Sequence, residues 1–170
     1  MENKLADSNG FLTKWLICGP KLNIPEIVVE EEIQEKFESK MREAIPDDNF
    51  TVPMNIYLDE TCSGQNWKYW YGGNGIFVDI SNFYRLLCRV EFYGATQIKS
   101  SEACELQLCL WCYPATDVWV NGEKVLTHEA AVYKPMRRAQ TSIKLKKGIN
   151  DIFVRCQNLG VRDTRNIYGM

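Results

Sequence analysis

Histidine is the side chain best suited to proton transfer and metal binding near neutral pH, and this 170-residue chain contains one, His128. A zinc site built on several histidines is therefore excluded. A Ser-His-Asp triad would have to run through His128, and no G-x-S-x-G elbow is present to carry its serine. His128 reads as an ordinary strand or loop histidine. Cys109 and Cys112 form a C-x-x-C pair, but both lie in one apolar run, C-E-L-Q-L-C-L-W-C-Y. Positions three apart in a strand point to opposite faces, so the pair reads as strand thiols, not as a redox or metal motif. Gly72, Gly73 and Gly75 lack the lysine of a phosphate loop and precede a strand-like run instead of a helix. Two carboxylates at glycosidase separation would suffice for hydrolysis, and Asp and Glu total 22, but no pair stands out by its spacing. No cofactor or metal site is expected, although Asp47-Asp48-Asn49 offers oxygen donors of the kind calcium takes.

Aromatic rings and planar polar groups remain. Sugars lay their C–H faces on aromatic rings, while amides, carboxylates and guanidiniums take their hydroxyls. The stretch W-K-Y-W-Y-G-G-N-G places Trp67, Tyr69, Trp70 and Tyr71 within five positions. If the chain binds carbohydrate, Trp67, Trp70 and Tyr71 are the expected stacking residues. Arg162 and Asp163, from the R-D-T-R-N stretch of residues 162–166, are the expected hydroxyl partners. The structural reading competes at both places. Trp67 and Trp70, three apart, cannot both face one side of a strand, so part of the cluster can be core. Arg162 and Asp163 can equally form a local pair in a solvated loop.

The elements around these residues are mostly strands. Phe11 to Cys18 is a strand-like run ended by Gly19-Pro20. One helix is predicted over 30–45: Ile33, Phe37 and Met41 recur every fourth residue, glutamates open it, Lys40 and Arg42 lie near its end, and Pro46 stops it. Residues 1–10 are expected to be disordered, and 46–75 to be an irregular insertion. From Ile76 onward, short strands and turns alternate. Cys104, Leu106, Leu108, Leu110 and Cys112 share one face at period two. In D-V-W-V-N-G-E-K-V, Asn121-Gly122 is a two-residue hairpin turn. Val118, Val120 and Val125 are predicted on one face of it, with Trp119 opposite Lys124 on the other. In T-S-I-K-L-K-K-G-I-N, Ile143 and Leu145 point inward and the lysines outward, a guard against edge pairing. Evenly spaced strands with one early helix predict an all-β fold, an antiparallel β-sandwich.

The totals agree with one such domain. Hydrophobic residues at 45% and charged residues at 25% describe a globular chain rather than a disordered one. A formal net charge of −2 invites neither nucleic acid nor an anionic membrane. No apolar run reaches the ~20 residues of a membrane helix, and the polar start, Met1 to Gly10, is unlike a signal peptide. The expectation is a cytoplasmic protein. The seven cysteines, mostly inside apolar runs, read as reduced buried thiols.

Several of these segments together resemble a known family. F-L-T-K-W-L-I-C-G-P-K is similar to the opening W-x-I-x-G-P-F strand of jelly-roll domains attached to glycoside hydrolases, and V-D-I-S-N-F-Y to their Val-Asp-Leu-x-x-x-Phe segment. The passage from V-E-F-Y-G-A-T to D-V-W-V-N-G-E-K-V resembles their Tyr-Ala strand leading to a W-V-N-G turn. I-K-L-K-K-G-I-N-D-I-F-V-R-C-Q-N resembles the closing strand pair. The family is the galactose-binding-domain-like sandwich, found as accessory domains of β-galactosidases, β-glucuronidases and α-L-rhamnosidases. The likeness covers about 11–20 and 76–158; the acidic helix and residues 46–75 depart from it.

The resemblance implies a jelly-roll accessory module with no catalytic residue of its own, part of a longer glycoside hydrolase. Its partner would be the catalytic domain of the same polypeptide, together with a weak carbohydrate contact. The family's sugar site varies between members, so no ligand residue is carried over by motif. Two alternatives stay open: a purely structural or protein-interaction sandwich that binds no sugar, and a small independent carbohydrate-active enzyme using two carboxylates.

Overall fold

The computed structural model describes residues 9–23, 50–53, 56–58, 61–62, 64–71, 76–83, 88–112, 115–128, 137–160, 165–166 and 170. These contain twelve strands and no helix: β1 Lys14–Asn23, β2 Thr61–Cys62, β3 Gln65–Asn66, β4 Lys68–Tyr71, β5 Asn82–Phe83, β6 Cys88–Ser100, β7 Cys104–Cys112, β8 Ala115–Val120, β9 Glu123–His128, β10 Arg137–Leu145, β11 Gly148–Gly160 and β12 Arg165–Asn166. The helix predicted over 30–45 lies outside the described residues, as do residues 1–8. No helix among the described residues is long and apolar enough to cross a membrane.

A six-stranded antiparallel sheet, in the order β4-β1-β6-β11-β8-β9, forms the centre. Its inner face carries Val90, Phe92, Val118, Val120, Ile152, Val154 and Cys156. Facing it is the two-stranded sheet β7–β10, whose Ile143 and Leu145 are buried and whose Leu108 and Leu110 pack against the same core. A second short ribbon completes this layer. β12 pairs with β5, and Met170 exchanges main-chain hydrogen bonds with Val78 in the same antiparallel register. Val78 and Met170 are both buried in the inner core beside Trp15. The result is a two-layer antiparallel β-sandwich, as the alternating pattern predicts.

The period-two expectations hold residue by residue. Leu106, Leu108 and Leu110 lie opposite Ile143, Thr141 and Ala139, so the apolar faces of β7 and β10 coincide. The Asn121-Gly122 turn has positive φ at both residues, 52° and 85°, as a type I′ hairpin requires. Trp119 pairs with Lys124, and the ammonium sits 5.3 Å from the centre of the indole.

Two boundaries differ from expectation. β1 does not end at Gly19-Pro20 but runs to Asn23 past a register shift between Cys18 and Lys21. Gly19 makes this possible: at φ 117°, a Cβ there would come within 3.0 Å of the β6 backbone at Glu91, so only glycine fits without strain. The stretch 46–75 is not wholly irregular. Lys68–Tyr71 forms β4, paired to β1 from Lys14↔Tyr71 to Ile17↔Lys68. Its aromatic side chains suit a pleated surface, and the free edge of β1 provides the hydrogen bonds.

The other unexpected feature is a second apolar cluster on the outer face of the large sheet. Leu16, Cys18, Tyr93, Ala95, Trp119 and Phe153 are covered there by Phe50, Val52, Ile56, Cys62 and Trp67. The central sheet is therefore buried on both sides, and β8 is buried along its whole length.

Asn150, fully buried, joins two turns. Its carboxamide oxygen accepts from the Lys146 amide at 2.8 Å and from Asn121 Nδ2 at 2.9 Å, and its Nδ2 donates to the Lys146 carbonyl at 2.9 Å. Truncation strands several buried polar groups at once. Asn150→Ala is expected to cost about 2–3 kcal/mol, read as a lower urea midpoint at an unchanged m-value.

Candidate functional site

Antiparallel partners point to the same face, so the register of β6, β11 and β8 places a row of polar side chains on the outer face. Tyr93, Arg155 and Asp117 lie opposite one another, and Glu91 and Gln157 form the next row. All five are buried. Burying a charge is costly unless it is paired and hydrogen-bonded, and here each carboxylate is. Arg155 Nη2 donates to Asp117 Oδ2 at 2.8 Å, while Thr127 Oγ1 donates to Oδ1 at 2.8 Å and Lys124 Nζ lies 3.2 Å from that atom. Glu91 Oε2 accepts from Arg89 at 2.8 Å and Gln157 at 2.9 Å, and Oε1 accepts from the Tyr93 hydroxyl.

Phe50 closes this network from above. Its ring stacks on Tyr93 at 5.7 Å and lies 5.4 Å from Trp119 and 5.8 Å from Phe153. The Arg155 guanidinium carbon lies 4.2 Å from the Phe50 ring centre, a cation–π contact strengthened by desolvation. Burial works to raise the Asp117 carboxyl, but its bond to Arg155, with Thr127 and Lys124, outweighs burial and holds the group below the ordinary carboxylate range. These carboxylates have their acceptor positions filled by the protein itself, an arrangement that favours a structural role.

Of the expected site residues, Trp67, Trp70 and Tyr71 lie among the described residues, on or beside β4. Trp67 is 2% exposed and meets Phe153 edge-on at 6.2 Å, so its ring belongs to the outer cluster and offers no surface for stacking a sugar. Trp70 lies opposite Trp15 and packs, half-buried, against the inner core. Tyr71 ends β4 opposite Lys14. Arg162 and Asp163 lie outside the described residues. Tyr69, in the same stretch, is exposed.

An exposed arrangement of suitable type lies elsewhere, on the outward face of β7–β10. Glu105, Gln107, Cys109 and Trp111 stand opposite Lys144, Ser142, Gln140 and Arg138, and all eight are exposed. Trp111, 52% exposed, stands near one end of the ribbon. Arg138 Nη2 donates to Cys109 Sγ at 3.2 Å, which lays the guanidinium along the same face as the indole. Ser142 Oγ donates to Glu105 at 2.5 Å at the far end. From Trp111 to Gln107 the face runs roughly 13 Å at strand rise, a ring followed by amides on rigid strands. The sequence carried a usable signal: Trp111 alternates out of phase with Leu106, Leu108 and Leu110, so it had to face solvent. Among the described residues no three or more His, Cys, Asp or Glu gather as a metal site would require.

No family model matches the chain, and a comparison with curated proteins finds no match. Among solved structures, a β-glucosidase from Kluyveromyces marxianus in complex with glucose is similar over 62% of this chain, with 12% identity and a TM-score of 0.37. The chain matches 14% of that enzyme's length. This is a distant structural similarity to part of a glycoside hydrolase, and it assigns neither ligand nor reaction.

The Arg155–Asp117 pair generates two expected outcomes. Asp117→Val leaves a buried cation unpaired and should cost about 3–5 kcal/mol, whereas Asp117→Val with Arg155→Met should recover most of it; chemical denaturation of the two variants measures the difference. Because the folded Asp117 is held below its unfolded value of about 3.9, its contribution is complete above that pH. It is lost as pH falls through the lower folded value. Stability measured between pH 6 and 2 should fall less steeply in Asp117→Asn than in the parent.

Proposed function

We propose that this chain is a non-catalytic β-sandwich module of a longer carbohydrate-active enzyme, of the galactose-binding-domain-like jelly-roll type. In this reading it packs on a catalytic domain of the same polypeptide and contacts carbohydrate weakly. The observation that carries the carbohydrate contact is the outward face of β7–β10. Trp111 offers an indole face to a pyranose ring, Arg138 and Gln140 offer planar donors and acceptors near it, and Gln107 offers another further along the same face. Strand hydrogen bonds hold the backbone, so little ordering is needed on binding. The filled acceptor positions of Glu91 and Asp117 support a non-catalytic role over a two-carboxylate enzyme.

A flat site desolvates few hydrogen bonds, so affinity is weak, with dissociation constants on the order of millimolar. A second reading, a module that meets only protein, is favoured by Tyr57, Leu58 and Tyr69, large side chains more than half exposed. Titration of the labelled chain with neutral and acidic oligosaccharides separates the two. The expected result is amide shifts confined to β7–β10 and a shift of the Trp111 indole, both lost in Trp111→Ala. No shift at tens of millimolar sugar would leave the protein-contact reading standing. Turnover of chromogenic glycosides by the purified chain would overturn the non-catalytic assignment.

A further inference from the structure

All seven cysteines are free thiols. Two of them, far apart in sequence, meet in the outer layer. Cys18 is on the outer face of β1 and 1% exposed; Cys62 ends β2 and is 9% exposed. Cys18 Sγ lies 3.1 Å from the Cys62 carbonyl and 3.3 Å from that of Gln65, so the β2–β3 hairpin wraps around it. Both side chains belong to the same apolar cluster of the outer layer.

Cys112 and Cys156 lie in the inner core, with the Thr116 hydroxyl 3.6 Å from Cys156 Sγ. Cys109 is exposed and paired with Arg138. Disulfide formation needs two sulfurs close together and able to take a compatible orientation, and the Cys18 sulfur is already seated against the Cys62 main chain.

We propose that Cys18 and Cys62 form an oxidisable dithiol site that closes to a disulfide by exchange with a small-molecule disulfide of the glutathione type. Cys62, the less buried thiol, loses its proton and attacks one sulfur of the small disulfide, releasing one small thiolate. Cys18 then loses its proton and attacks the Cys62 sulfur, releasing the second. The protein gives up two electrons and two protons, and the small disulfide becomes two thiols. The neighbouring Cys62 and burial push the Cys18 thiol up and hold it protonated, so exchange is slow at rest and requires the hairpin to lift. The bond would staple the outer layer to β1 and close a long loop, which constrains the unfolded chain strongly. This inference is independent of any carbohydrate contact.

The test uses the full chain, reduced, folded and incubated with excess glutathione disulfide. Free thiols are then blocked with iodoacetamide, and the chain is digested and mapped by mass spectrometry. The expected product is a linked Cys18–Cys62 peptide pair, with the other cysteines alkylated and the melting temperature raised by roughly 5–10 °C. Cys62→Ser should lose both changes. A different linked pair, mixed disulfides alone, or Cys18–Cys62 linkage that needs denaturant would overturn the proposal. The peptide map of the parent chain decides the matter even if Cys62→Ser does not fold.

Discussion

A sheet covered on both faces has no water on either side to satisfy its polar groups. That constraint governs this protein. Residues 152–157 of β11 are all buried, and three of them, Phe153, Arg155 and Gln157, face the outer layer. Arg155 can be there because Asp117 stands opposite it on β8 and the Phe50 ring lies over its guanidinium. The outer face is thus apolar at one end, around Trp119 and Phe153, and polar at the other, around Glu91 and Gln157. Phe50 touches both kinds of neighbour and fastens the outer layer where they meet.

This arrangement divides the side chains that could do chemistry. The carboxylates in the most protected positions serve as acceptors for Arg, Gln, Thr and Tyr. The groups left facing solvent on the regular framework are those of β7–β10, where a tryptophan and an arginine sit beside glutamines. The thiols divide between the layers too: Cys88, Cys112 and Cys156 lie in the inner core, whereas Cys18 and Cys62 share the outer one, the Cys18 sulfur against the Cys62 carbonyl.

Much of the sandwich was legible because its signals are local. Alternation placed Leu108, Leu110, Ile143 and Leu145 inward, and Asn121-Gly122 announced a hairpin whose backbone angles almost demand those residues. The pairing of Trp119 with Lys124 followed from the turn alone. The site was less legible. Trp67 and Trp111 are chemically alike, and composition drew attention to the clustered one. Yet Trp67 is buried against Phe153, while Trp111 faces solvent out of phase with its apolar strand. The strand pattern could have identified the second; nothing local could show that the first would be covered.

Strand positions, the inward face after residue 76 and the tightest turn were determined by the amino-acid sequence itself, since periodicity and φ preference act over a few residues. Tertiary structure alone decided that Phe50, Val52, Ile56 and Trp67 would cover the outer face, that Arg155 would find Asp117, and that Cys18 would meet Cys62. Each of these depends on which strands become neighbours and in what register. That is settled by the sum of many weak contacts between distant segments and by no residue's own preference.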